Sequence, residues 1–374
     1  CTDYDGLRSY MDANPITFYV GVDPTGSSLH VGHMVPFFAM AHLQQAGHKP
    51  IAVIGAGTGM IGDPSGKTEM RRMLTLEQIE EHALIIKQQL SKVVDFSEGS
   101  GRMVNNHDWL GKLKYIDFLR DIGRHFSVNR MLSFESYRQR MEKGLSFIEF
   151  NYQLLQSYDF LKLYQDYDCR LQMGGDDQWG NIVAGMELIR RIEGAEAYGL
   201  TFHLVTRSDG KKMGKTEKGA VFLSPELFSP YDFFQYWRNV ADADAIRFMK
   251  LFTFMDMEEI AEYEQLAGEE INRAKERLAY EQTSIIHGRE EADRAREAAK
   301  AAFASGAQSR DSIPSIAVER SELETGINVV ELFARTALCA SRGEARRLVT
   351  QGGARVFDAV ISDIDAVVDA AMLQ

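Results

Sequence analysis

A chain of 374 residues, 45% of them apolar, is too long for one hydrophobic core, so two or three packed domains are expected. It has no run of about 18 apolar residues, and the N-terminal CTDYDGLRSY lacks a basic-then-apolar leader, which argues against membrane insertion and secretion and for an intracellular protein. The net charge of −12 argues against phosphate-backbone binding by the whole surface, and the scattered Cys1, Cys169 and Cys339 argue against a disulfide framework or zinc site and for reduced thiols.

From residue 17 to about 219, short apolar runs alternate with longer amphipathic ones. TFYVGVD, IAVIGAG, RMVNN, CRLQMGG and FHLVT read as buried strands, with HMVPFFAMAHLQQAG and TLEQIEEHALIIKQQLSKVV as helices. Thr75 and Gln78 are spaced as a capping box for the second helix. The alternation predicts a doubly wound, Rossmann-like parallel sheet with a ligand crevice beyond the carboxyl ends of its strands. The largely helical stretch at about 112–160 interrupts that alternation and reads as an insertion.

Beyond Pro230 the strand signals stop. ADADAIRFMKLF, MEEIAEYEQL, EEINRAKERLAYEQTSIIHG and REEADRAREAAKAAFASG read as successive helices, the last two ending at Gly288 and Gly306. SGAQSRDSIPS reads as a linker. VVELFARTAL and SRGEARRLVTQGG read as helices, with Ser341 and Glu344 spaced as a capping box, and ARVFDAVISD reads as a hairpin. The expected organisation is an α/β domain over 1–219, an all-α domain over 220–305, a linker over 306–320 and a small α+β module over 321–374.

Strand TFYVGVD runs into the turn DPTGSS, and a helix opens near His30. Small residues at such a turn let backbone approach a nucleotide, and the helix N-terminus offers N–H groups to phosphate. A metal reading of His30 and His33 needs a third ligand, and neither His42 nor His48 supplies a motif. Two readings stay open: imidazoles that only cap a helix, or imidazoles that bond phosphate oxygens beside a purine stacked on the bare backbone of Gly32.

Two segments concentrate positive charge. RSDGKKMGKTEK (207–218) has five basic and two acidic residues, and SRGEARRLVTQGGAR (341–355) has four basic and one. Within the first, KKMGKT is a glycine-containing loop with three lysines, suited to phosphate. GMIGDPSGKT mimics a phosphate loop, but only three residues separate Gly62 from Gly66 where the P-loop pattern needs four, so a P-loop enzyme is disfavoured. In FNYQLLQSYDF, Tyr152, Gln156 and Asp159 fall at i, i+4 and i+7, forming a polar stripe on one helix face that is either solvent-facing or a binding wall. GGDDQWGN puts Gly175, Asp177 and Gln178 at a strand's carboxyl end, where a ligand of such a sheet would lie.

HVGH and KMGKT resemble the two signatures of class I aminoacyl-tRNA synthetases. More narrowly, YVGVDPT, GMIGDPSGK, NNHDW, YQLLQSYD and GGDDQWGN resemble tyrosyl-tRNA synthetases of the bacterial and organellar type, in the family's order over nearly the whole chain. The resemblance implies activation of L-tyrosine with ATP, accompanied by Mg2+ held mainly by phosphate and water, and then tyrosyl transfer to tRNA(Tyr).

By the same resemblance, Tyr19 and Asp159 hold the phenol hydroxyl, and Tyr152, Gln156 and Asp63 hold the ammonium group. Gln178 faces the aminoacyl carbonyl, and Asn106 is a further polar contact. Gly21, Asp23, Gly32, Gly175, Asp177 and Lys215 bind ATP. His30, His33, Thr25, Lys67, Arg71, Lys212 and Lys215 stabilise charge on the transferring phosphoryl group and the pyrophosphate. No protein metal site is expected.

The resemblance also implies a homodimer through 112–160, anticodon-stem contact by the all-α domain, and RNA contact by Arg342, Arg346 and Arg347 on the final module. Cytoplasm is the expected compartment, with an organellar matrix as alternative. Two departures stand out: Val20 occurs where several members carry a cysteine that bonds ribose, and Gly214 replaces the serine of the general loop signature. Family members also carry residues before Cys1 and further strands after DAAMLQ, so the last module is expected to be incomplete as written. Three rivals share part of the pattern. They are a tryptophanyl-tRNA synthetase, disfavoured by Tyr19 and Asp159; a small nucleotidyltransferase, which would not need the later domains; and an RNA-binding or splicing protein that keeps the synthetase shell.

Overall fold

The computed structural model describes residues 1–65, 74–210, 212–216, 219–304, 316, 318–336, 339, 341–356 and 359–369. The chain divides into two compact units, Cys1–Glu297 and Ala298–Gln374.

The first unit opens with helix α1 (Tyr4–Ala13), started by Asp3, whose carboxylate accepts the Gly6 N–H. Strand β1 (Thr17–Val22) follows, then α2 (Met34–Gln45), β2 (Lys49–Ile54), α3 (Leu76–Leu90) and β3 (Arg102–Asn105). After short helices at Tyr115–Asp121, Val128–Ser133 and Glu135–Met141 come α4 (Phe147–Tyr167), β4 (Cys169–Gly175), α5 (Trp179–Glu193) and β5 (Tyr198–Phe202). All five strands are parallel, in the order β3-β2-β1-β4-β5. The chain steps outward from β1 through β2 and β3, then returns to the other side of β1 with β4. Strands β1 and β4 therefore flank a topological switch point, where the loops diverge and leave a crevice.

Local chemistry sets the element ends. Thr75 and Gln78 form the capping box expected at α3, and Ser146 with Glu149 forms another at α4. Glu149 also takes the guanidinium of Arg140 at 2.9 Å, an ion pair buried on both sides. Helix α4 stops at Asp168, which adopts a left-handed φ of 50° and turns the chain into β4. One expected strand is displaced: FHLVT is not the fifth strand, which is Tyr198–Phe202. Tyr198 and Gly199 are buried, Gly199 lying against Ile182 of α5, whereas His203 and Leu204 are exposed. Packing rather than β-propensity decided the register.

After the sheet come α6 (Pro230–Arg238), α7 (Asp242–Phe252), α8 (Ile271–His287) and α9 (Arg289–Ala304). Through α8 these helices share a compact unit with the sheet. Phe38 of α2 lies against Phe252 and Phe254, with ring centroids at 5.8 and 5.3 Å, and the Lys92 ammonium donates to the Ile286 carbonyl at 2.6 Å. Gly288, at φ 94°, ends α8, while Gly306 lies outside the described residues, as does most of the expected linker 306–320. No helix among the described residues is long and apolar enough to cross a membrane.

The second unit holds α10 (Val329–Arg335) and α11 (Arg342–Thr350). Ser341 caps α11 by accepting the Glu344 N–H, and Ala354–Val356 pairs antiparallel with Ala359–Ile361. Its core is Val329, Val330, Phe333, Cys339, Ala345, Val349 and Ala354.

Candidate active site

The turn DPTGSS leaves β1 at the switch point and is held by α3. His82 Nδ1 lies 3.1 Å from the Pro24 carbonyl. Gln89, seven residues on and so on the same face of α3, accepts the Leu29 N–H at 2.8 Å and donates to Ser28 Oγ at 2.9 Å. Ser28 Oγ in turn donates to the Leu29 carbonyl and accepts the Ser224 N–H. The buried Ser28 and Gln89 thus fix the approach to HVGH. Residues 31–33 form one 3-10 turn before α2. His30 Nδ1 accepts the Gly32 N–H at 3.0 Å, and His33 Nδ1 accepts the His30 N–H at 3.2 Å. The rings stack with centroids 3.7 Å apart. Both imidazoles do cap the helix, and capping is compatible with a ligand role, because an accepting Nδ1 puts the neutral ring's proton on Nε2.

The lysine loop closes on HVGH through backbone. Val31 N–H donates to the Val221 carbonyl and Leu223 N–H to the Leu29 carbonyl, each at 2.9 Å, and Val221 N–H reaches the Gly214 carbonyl at the same distance. Gly214 has φ 76°, and a Cβ there would sit 2.8 Å from the Gly32 nitrogen. Glycine is therefore what this approach requires at the position where the general signature has serine. Lys212 is exposed beside this seam. The side chain of Lys215 is outside what is described, and Lys67 and Arg71 lie outside the described residues altogether. Thr25 and Gly21 are exposed at the crevice, and a Cβ on Gly21 would meet nothing within 4 Å.

Under the crevice lies a buried side-chain network. Asp159 on α4 accepts from Asn106 Nδ2 at 2.9 Å and from the Trp109 indole N–H at 2.7 Å. Asn106 also donates to Thr58 Oγ1 at 2.9 Å and accepts the Gly57 N–H at 2.8 Å, so its amide braces protein groups. Thr58 donates to Asp23 Oδ1 and Tyr152 to Asp23 Oδ2, both at 2.7 Å. Burial pushes the Asp159 carboxyl up to about 7 against the lowering effect of its two donors. Beside it, Tyr19 is 2% exposed, packs on Phe160 at 5.3 Å, and leaves its hydroxyl buried without a partner among the described residues. An orphaned buried hydroxyl costs about 1–3 kcal/mol, which a ligand hydroxyl would relieve.

A second network runs along the other side. Asp63, its carboxyl raised mainly by burial, accepts from Gln178 Nε2 at 2.6 Å and from the Ser65 N–H at 2.9 Å. Asn181 Nδ2 donates to Gln156 at 3.0 Å and to Gln178 at 3.1 Å. The α4 stripe is thus a wall of buried or half-buried groups rather than a solvent face. Gly175 sits at the end of β4, and a Cβ there would meet Asp177 Oδ1 at 2.6 Å; Asp177 itself is exposed. Sequence reasoning missed Trp109, Thr58, Asn181, Ser28 and Gln89, although Trp109 and Asn181 sit inside NNHDW and GGDDQWGN. In the second unit, Arg342, Arg346 and Arg347 are all exposed on α11, and Arg342 lies 3.8 Å from Glu331. Among the described residues no group of three His, Cys, Asp or Glu side chains could hold a metal.

Residues 11–304 match the family described as tRNA synthetases class I (W and Y). A tyrosine–tRNA ligase of Treponema denticola is 57% identical over 368 residues, covering 98% of this chain and 90% of the relative. One from Acetivibrio thermocellus is 56% identical over 367 residues, with 98% and 90% covered. Among solved structures, a C-terminally truncated mitochondrial tyrosyl-tRNA synthetase of Aspergillus nidulans superposes with a TM-score of 0.68 at 28% identity, covering 79% of this chain and 88% of the other.

Proposed function

The chain belongs to the tyrosine–tRNA ligases of class I, and from that premise we infer how its own residues divide the work. The enzyme joins tyrosine to ATP, giving tyrosyl-adenylate and pyrophosphate, and then passes the tyrosyl group to tRNA. The tryptophan alternative is not favoured, since relatives at 52–57% identity over nearly the whole chain are tyrosine enzymes.

In the first step a tyrosine carboxylate oxygen attacks the α-phosphorus of ATP in line, and pyrophosphate leaves. In the second a ribose hydroxyl at the tRNA 3′ end attacks the carbonyl, and AMP leaves. Neither step needs a protein nucleophile, so positioning and charge stabilisation carry the catalysis. His30, His33 and Thr25 face the phosphates from the turn. Lys212 and Lys215 meet them from the lysine loop, and Lys67 and Arg71 are assigned to the departing pyrophosphate. Gly21, Gly32, Gly175 and Asp177 line the ATP side. Mg2+ enters with ATP, held chiefly by phosphate oxygens and water.

The observation that carries the amino-acid assignment is the braced Asp159 carboxylate beside the partnerless Tyr19 hydroxyl. A substrate phenol donates to Asp159 and accepts from Tyr19. Asp63, Gln156 and Gln178 then face its ammonium and carboxylate end, with Tyr152 and Asp23 joining as one hydrogen-bonded pair. Asn106 acts through Asp159 rather than on tyrosine.

The enzyme is assigned as a homodimer through its insertion, supported by the exposed Tyr115, Ile116, Met141 and Phe147 there. The helices beyond Pro230 are assigned to the anticodon stem of tRNA(Tyr), the arginines of α11 to RNA phosphates, and the compartment to the cytoplasm. ATP–pyrophosphate exchange measured with each amino acid in turn tests the whole: tyrosine alone should support it. Exchange with tryptophan, or with none, would overturn the assignment.

A further inference from the structure

We infer that Tyr236 on α6 and Asp244 on α7 are positioning residues for the lysine loop, so that the loop is aligned on the phosphates by the helical segment as well as by HVGH. This rests on the reading of that loop as a phosphate clamp.

Antiparallel contacts draw the two sides of the loop together. Thr206 bridges Lys212 in antiparallel fashion, Met213 N–H reaches the Val205 carbonyl at 3.1 Å, and Gly210 turns the chain at φ 79°. On one side it is sewn to HVGH through Val221 and the carbonyl of Gly214. The N–H of Gly214 is not used there. It donates instead to Tyr236 Oη at 3.0 Å, a phenol on a helix of the all-α segment. Gly214 is buried, and a buried backbone N–H needs an acceptor. No backbone carbonyl among the described residues supplies it.

The loop base is held in the same manner. Asp244, 1% exposed, accepts both the Ser208 N–H at 2.8 Å and the Ser208 hydroxyl at 3.0 Å through Oδ2. Its Oδ1 takes Arg247 at 2.7 Å, and the same guanidinium nitrogen also donates to the Thr206 carbonyl. A carboxylate this buried needs a full set of donors, which Ser208 and Arg247 supply, and Asp244 also sits in the first turn of α7, where the helix end favours negative charge. The aromatic contacts of α2 with Phe252 and Phe254 join the same helical segment to HVGH. The helical segment therefore contacts both halves of the clamp.

The test is Tyr236→Phe, which deletes one hydroxyl and keeps the ring, with Ser208→Ala as a second variant at the other anchor. Three quantities are read in the full-length protein: the single-turnover rate of tyrosyl-adenylate formation, the dissociation constant of tyrosine, and the rate of transfer from preformed adenylate to tRNA. Tyr236→Phe should slow adenylate formation about tenfold, the effect of one lost hydrogen bond, and leave the other two within twofold. Ser208→Ala should act in the same direction, more weakly. An unchanged adenylate rate in both variants overturns the inference, and so does an equal fall in all three quantities, which would mark general loosening. Lys215→Ala is the control: if it too leaves adenylate formation unchanged, the clamp reading itself fails, whereas a large fall there with none in Tyr236→Phe removes only the positioning role.

Discussion

The two sides of the crevice, assigned above to phosphate and to tyrosine, are built by different parts of the chain. Across the seam between HVGH and the lysine loop the contacts are backbone to backbone, and Gly32 and Gly214 allow the approach. In the pocket side-chain contacts dominate, and each carboxylate has its own donors: Asp159 with Asn106 and Trp109, Asp63 with Gln178, and the half-buried Asp23 with Tyr152. On that assignment the seam should be sensitive to one added carbon, and the pocket to isosteric exchange of charge or hydrogen-bond polarity.

The largest effect separating the two is expected from Gly214→Ala. The new methyl would need a left-handed φ and would press on the Gly32 nitrogen, so the loop must shift. A displacement on the order of 1 Å at a positioning element costs roughly 100-fold. Single-turnover adenylate formation should fall by about that factor, with tyrosine affinity within twofold. A wild-type rate would show that the seam is not held closed in the reaction.

Next in size is Asp159→Asn. The side chain keeps its volume but loses the charge that accepts a phenol proton, and hydrogen bonds to charged groups are worth about 1.5–3 kcal/mol, or roughly 10- to 150-fold. kcat/KM for tyrosine should drop within that range, while phenylalanine, which has no hydroxyl to offer, should lose far less. Competition between the two amino acids in pyrophosphate exchange measures this, and unaltered selectivity would take Asp159 out of the pocket.

How much of this was readable beforehand follows the same division. The sheet was legible because strand and helix periods alternate, and it was misread only at its edge, where FHLVT has the composition of a strand but Tyr198 and Gly199 have the packing. The glycines and histidines of the seam were legible because the motif is local. The role of Tyr152, Gln156 and Asp159 was half legible: their spacing put them on one face, but nothing in that spacing says Tyr152 bonds Asp23 across 129 residues. Trp109 and Tyr236 were invisible for the same reason, since a hydrogen bond between distant segments leaves no periodic trace. Asn106 is expected as a further polar contact; its amide bonds to Gly57, Thr58 and Asp159, in segments whose proximity leaves no mark on local spacing.

The finest test turns on protonation. Burial raises the Asp159 carboxyl from its ordinary 3.8 to about 7, and the Asn106 and Trp109 donors oppose the rise. Only the ionised carboxylate has no proton of its own to place, so kcat/KM for tyrosine should climb with pH and level off above about 7, because that parameter reports ionisation of the free enzyme. Asp159→Asn should abolish the step. Trp109→Phe removes one donor to the charged form, so the inflection should move upward by about one pH unit, the equivalent of roughly 1.4 kcal/mol. The stability consequence has a fixed sign. Between the ordinary value and about 7 the folded chain binds more protons at this site than the unfolded chain, so its contribution to stability falls as pH rises through that window. Urea unfolding across the same range should show that decline in the parent and lose it in Asp159→Asn; a downward shift of the Trp109→Phe inflection would mean that the indole does not brace the ionised carboxylate.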